Sequence, residues 1–121
     1  MVLASASFAA DAGELAFNAC TMCHSIDPKV NDLPGPNLAG VLCRKPGSLK
    51  DFEYSEGMIA FAKLHAVWTP ALVDEYLADP GKMIADTPME LPRGSNTPEK
   101  RRALVAYLQQ HGGDAAKACP N

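Results

Sequence analysis

Two thiols and an imidazole stand close together in Cys20-Thr21-Met22-Cys23-His24. The order, with the histidine directly after the second cysteine, is that of covalent c-type haem attachment. Two thioethers would tie a porphyrin to the chain, and the His24 imidazole would bind its iron on one face. A dithiol redox site or a zinc site is a weaker reading. No βαβ pattern surrounds the pair, and no second ligand pair stands at zinc spacing.

The opposite face of the iron needs a ligand from elsewhere if the haem is to carry electrons. An open position would instead mean gas binding or peroxide chemistry. His65 and His111 are the other histidines, and their places at a helix end and before a glycine pair read as surface. Among the methionines, Met22 sits inside the attachment motif and is badly placed for the far face. Met89 lies in a proline-bounded loop well removed from His24, and Met83 is the second choice. A thioether ligand favours the ferrous state and raises the reduction potential.

A short chain must position these groups. The 121 residues suit one domain with a modest core, to which a haem would add apolar material. The formal charge is −3, with no basic stripe and interleaved aromatics, so nucleic acid is not an expected partner. No apolar run approaches the roughly 20 residues of a membrane helix. Residues 1–10 are small and apolar and resemble the tail of a secretory signal, with Ala4-Ser5-Ala6 as a processing site.

Helix signals are sparse and clear. Asp11 with Glu14 has capping-box spacing before a helix over about 12–22. Gly13 inside it costs roughly 1 kcal/mol against alanine and makes sense where another helix crosses closely. Residues 25–42 read as irregular, with Asp27-Pro28 and Leu33-Pro34-Gly35-Pro36-Asn37 as turns and extended backbone. That loop would run along the histidine side of a haem, and a carbonyl near Pro36 is the expected acceptor for the second nitrogen of His24. Arg44 and Tyr54 could reach a haem propionate. Ser55 caps a helix over about 56–65, with Met58, Ile59, Phe61 and Ala62 as its apolar face. Trp68 could pack on the haem edge. Thr69-Pro70 starts a third helix that carries Leu72, Val73, Tyr76 and Leu77 and stops near Asp79-Pro80. Residues 81–96 lack helical periodicity. Thr97-Pro98 starts the last helix, with Leu104, Val105 and Leu108 as its buried stripe and Gly112-Gly113 as its end. The class is all-α with long ordered loops, and such loops usually serve a function.

Taken together, these features resemble the class I cytochromes c, of the small bacterial kind similar to mitochondrial cytochrome c. The resemblance covers about residues 11–111. Gly13 and Phe17, with Leu104 and Tyr107, match the crossing of the terminal helices. Cys20, Cys23 and His24 match the attachment site, and Gly35-Pro36-Asn37-Leu38 the loop whose proline carbonyl receives the histidine N–H. Arg44-Lys45, Tyr54 and Trp68 match the propionate surroundings. Glu75-Tyr76-Leu77 before Asp79-Pro80 matches the third helix, and Thr87-Pro88-Met89 the methionine loop.

The resemblance implies about four helices, crossed N- and C-terminal helices and long loops around one haem c. Cys20 and Cys23 would hold that haem, and His24 and Met89 would ligate its iron. Pro36, Arg44, Tyr54, Trp68 and Tyr76 would surround it. It implies a monomeric single-electron carrier with no catalytic residues, exported to the periplasm, over a domain of residues 11–113 with a leader at 1–10 and a tail at 114–121. A dedicated cytochrome subunit of one oxidoreductase is the alternative, and a gas-binding or sensing haem protein a more distant one.

Some positions depart from the family. Ala19, Gly81 and Pro88 stand where docking lysines are frequent, while Lys82 remains. Ala85-Asp86 replaces a common Pro-Gly, Leu91 replaces an aromatic, and the segment between Tyr54 and Trp68 is longer. The expected docking face is apolar or mildly acidic and meets a neutral or basic redox partner rather than a strongly acidic one. Cys43 and Cys119 remain after haem attachment, and an even remainder in an exported chain implies a disulfide that tethers the tail.

Overall fold

The computed structural model describes residues 12–111. The leader, the Asp11 capping position, Gly112-Gly113 and the tail with Cys119 lie outside them. A helix over 12–17 (α1) tightens into a 3₁₀ turn at Asn18–Cys20. There follow α2 (Glu56–Ala62), α3 (Pro70–Ala78), α4 (Pro80–Met83) and α5 (Pro98–Gln110). No strand occurs among the described residues, in keeping with the all-α class.

The helix starts follow from local chemistry. A hydroxyl before each of three helices accepts a first-turn amide: Ser55 from Met58 at 3.1 Å, Thr69 from Leu72 at 3.1 Å and Thr97 from Lys100 at 3.4 Å. Such caps satisfy donors that have no partner within the helix. Proline at the first position of α3 and α5 loses no hydrogen bond there.

Three boundaries differ from the sequence expectation. The first helix does not reach residue 22. The amides of Cys23 and His24 instead fold back onto the Cys20 carbonyl at 3.1 and 2.9 Å, so the attachment motif is a turn. The second helix stops at Ala62 rather than 65, because Lys63 and Leu64 bond three residues back and tighten the last turn. Ile59, expected on its buried face, is half exposed, while Phe61 is buried. Pro80 ends α3 as expected, but residues 81–96 are not wholly irregular. Asp79 caps a new turn through a bond from the Lys82 amide at 3.3 Å, and that turn is α4.

The core joins Phe17, Phe61, Trp68, Val73, Tyr76, Leu77, Ile84, Leu104 and Leu108. α1 crosses α5 at Gly13, where an added β-carbon would lie 2.7 Å from the Tyr107 Cβ. Phe17 packs beside the same tyrosine, ring centroids 5.3 Å apart. α3 packs on α5, and Arg101 joins them through Asp74 at 2.9 Å and the Asn96 carbonyl at 2.8 Å. Asn96 in turn donates to the Leu77 and Ala78 carbonyls, which closes the end of α3.

Candidate functional site

The turn at Cys20 leaves that cysteine half-buried and Cys23 exposed. Before attachment, burial pushes the Cys20 thiol above its ordinary value, and the nearby Cys23 adds to that shift. The His24 Nδ1 lies 2.7 Å from the Pro36 carbonyl oxygen. A carbonyl can only accept, so Nδ1 carries the proton and Nε2 keeps its lone pair for a metal. Burial lowers the imidazole's proton affinity, the Pro36 bond opposes that, and the Arg44 cation lowers it further. The outcome favours the neutral ring that ligation requires.

The loop that delivers Pro36 is built for close contact. A β-carbon on Gly35 would lie 2.6 Å from His24 Cε1 and 2.8 Å from the Cys23 carbonyl oxygen. The Gly35 amide donates to that same carbonyl at 2.8 Å. Asn37 is buried. Its Nδ2 donates to the Asp27 and Val30 carbonyls at 2.7 and 2.9 Å, and its Oδ1 accepts from the Ala39 amide at 2.8 Å. The sequence marked Asn37 as part of a turn but gave it no separate role.

From this loop a continuous series of contacts leads to Met89. The Arg44 guanidinium donates to the Asn37 carbonyl at 2.9 Å and to the Ala39 carbonyl at 3.2 Å. Two backbone bonds of 2.8 Å, Trp68 amide to Arg44 carbonyl and Cys43 amide to Trp68 carbonyl, pin these segments together. The Trp68 and Tyr76 rings lie 5.6 Å apart. The Tyr76 hydroxyl bonds the Thr87 hydroxyl at 2.6 Å, and Thr87 Oγ1 accepts from the Met89 amide at 3.3 Å. Thr87 thus joins tyrosine to methionine, a role the sequence did not single out beyond its place in a matched loop.

Tyr54 stands near Arg44; burial lowers the proton affinity of that guanidinium, and Tyr54 opposes the shift. Its hydroxyl accepts from the Leu49 amide at 3.2 Å and keeps its proton for another acceptor. Met22 is 85% exposed and belongs to no core, whereas Met83 and Met89 both pack against it. Met89 also lines a shallow cleft of about 540 Å³ together with Asp79, Glu90 and Leu91. His65 stacks on Phe61, with ring centroids 4.1 Å apart, and His111 lies beside Tyr107, so neither joins the series. Cys43 is disulfide-bonded, and the expected partner Cys119 is outside the described residues.

The donor set fits a covalent haem: two cysteines in a turn, one imidazole with its tautomer fixed, and a thioether reached through an aromatic wall. No protein-family model matches the chain. Its likeness to individual proteins is extensive. It is 36% identical to cytochrome c2 of Agrobacterium tumefaciens (strain II Chrys), over 79% of this chain and 86% of that protein. It is also 36% identical to cytochrome c-550 of Paracoccus versutus, over 89% of this chain and 79% of the other. The structure of cytochrome c2 from Rhodospirillum centenum superposes with a TM-score of 0.70 at 30% identity, covering 86% of this chain and 98% of that one.

The chain belongs to the class I c-type cytochromes. It is an electron carrier with one covalent haem c, held through the Cys20-to-His24 motif, and not an enzyme. Redox partners follow from that class. Among the described residues no helix is long and apolar enough to cross a membrane.

Proposed function

We propose that the chain works as a periplasmic, monomeric shuttle that takes one electron from one redox protein and gives it to another. His24 and Met89 would ligate the haem iron, and Pro36, Arg44, Tyr54, Trp68 and Tyr76 would line its pocket. The contact series from His24 through Arg44, Trp68 and Tyr76 to Met89 carries this reading, because it joins the two ligand loops by one ordered wall.

When bound, the haem supplies a ferrous–ferric couple whose potential His/Met ligation raises. The chain's own groups hold everything else still. Pro36 fixes the orientation of His24, Thr87 and Tyr76 hold the methionine loop, and the aromatic wall excludes water. Arg44 and Tyr54 provide a cation and a hydroxyl proton for propionates. Small movement between oxidation states is what rapid electron exchange requires.

The docking face is apolar and mildly acidic. Leu15 and Met22 are 70% and 85% exposed, and Ala19 between them is exposed too. Asp79 and Glu90 line the cleft beside Met89. A neutral or basic partner surface suits that face, through the small and short-lived contacts usual for redox encounters.

The ferric protein tests the ligand set. It should show the weak far-red band of methionine-ligated haem, and Met89→Ala should abolish it while Met83→Ala retains it. Ready carbon monoxide binding by the wild-type ferrous protein, without that band in the ferric form, would overturn the carrier reading in favour of a gas-binding one.

A further inference from the structure

The methionine loop touches α2 at one point that the His24-to-Met89 series does not include. The Gly57 amide, in the first turn of α2, donates to the Asp86 carboxylate at 3.0 Å. Ser55 takes the next amide, that of Met58, so the two side chains divide the open donors of this helix start. One of these caps comes from the helix's own chain entry. The other comes from the loop that carries Met89.

The contact is close as well as polar. A β-carbon on Gly57 would collide with the Asp86 carboxylate and lie 3.0 Å from Ile84 Cγ2. Ile84 is buried, and its carbonyl accepts the Thr87 amide at 3.1 Å, which closes the turn containing Asp86. The loop is therefore held by Ile84 in the core, by Asp86 on α2 and by Thr87 on Tyr76.

We propose that Asp86 is a positioning residue for Met89, a clamp that holds the methionine loop against the glycine-bearing first turn of α2. The proposal rests on the reading of Met89 as an iron ligand. Release of the carboxylate frees the loop at its solvent side, and Met89 leaves the iron more often. An outside ligand can bind only while Met89 is away, so its apparent affinity rises in proportion to that population.

Titration of the ferric holoprotein with imidazole, followed by loss of the far-red band, reads this directly. Asp86→Ala should tighten apparent imidazole binding about tenfold, the factor carried by one hydrogen bond to a charged group. Hydrogen exchange at the Gly57 amide should quicken in the same variant. Asp86→Asn keeps an oxygen acceptor and should stay within about threefold of wild type. Gly57→Ala improves helix propensity yet blocks the carboxylate's approach, so it should also tighten imidazole binding.

A wild-type band with unchanged imidazole affinity and Gly57 exchange in Asp86→Ala overturns the clamp and leaves Met89 as ligand. A wild-type protein without the band overturns the ligand assignment, and this proposal with it. Gly57→Ala that leaves imidazole affinity at the wild-type value overturns the role of close approach at α2.

Discussion

The Tyr76 and Thr87 hydroxyls share a hydrogen bond of 2.6 Å, and this bond is where the third helix meets the methionine loop. Burial raises the Tyr76 phenol above its ordinary value of 10.0, the Thr87 bond opposes the rise, and the Asp86 charge adds to it. Tyr76→Phe should cost about 0.5–1.5 kcal/mol, the usual net worth of such a bond. The pH dependence has a definite sign. Above the unfolded value the unfolded chain has lost a proton that the folded chain keeps, so stability falls as pH rises through the folded value. Denaturant unfolding of wild type should show this alkaline loss, and Tyr76→Phe should flatten it.

Gly13 has no room for a side chain. An added β-carbon would meet the Tyr107 Cβ at 2.7 Å and the Ala103 carbonyl oxygen at 2.9 Å, both on α5. Gly13→Ala gains about 1 kcal/mol of helix propensity and should still destabilise the fold, because overpacking commonly costs about 1–3 kcal/mol. Valine should be worse than alanine. A rise in melting temperature for Gly13→Ala would mean that the helices part without strain.

Asn37 satisfies two carbonyls and one amide inside the histidine-side loop. Alanine there leaves the Asp27 and Val30 carbonyls without that donor, at a cost of about 1–3 kcal/mol for each group that water cannot reach. Chemical denaturation should show the loss. Asn37→Asp keeps the acceptor and removes both donors, so it should be no better than alanine.

Cys43 is disulfide-bonded, and the chain has four cysteines, of which haem attachment uses Cys20 and Cys23. Cys119 is then the proposed partner. Alkylation of the denatured holoprotein should add no mass before reduction and two alkyl groups after it. Loss of a native bridge typically costs about 2–5 kcal/mol, so a Cys43→Ser, Cys119→Ser double variant should melt earlier.

The parts of the fold that were legible in the sequence are those with local causes. Thr69-Pro70 and Thr97-Pro98 start helices through a cap and a proline, and both act at short range. The pairing of His24 with Pro36 was legible because a ligating imidazole needs an acceptor and a turn of known composition stood ready. Helix ends were less so. Residues 18–22 keep helical composition, yet the Cys23 and His24 amides return to the Cys20 carbonyl, and no residue type announces that choice. Asp79-Pro80 reads equally well as a stop and as a start, and it is both. The Arg44 bonds to Asn37 and Ala39, like the Asp86 contact with Gly57, depend on where loops meet in space, and periodicity carries no information about that.

The crossing of α1 with α5 also ties distant parts of the sequence together. Gly13 and Tyr107 lie far apart along the chain, and contacts of such long separation slow folding. The attachment cysteines directly follow α1, so the crossing that closes the core also fixes the segment that holds the haem.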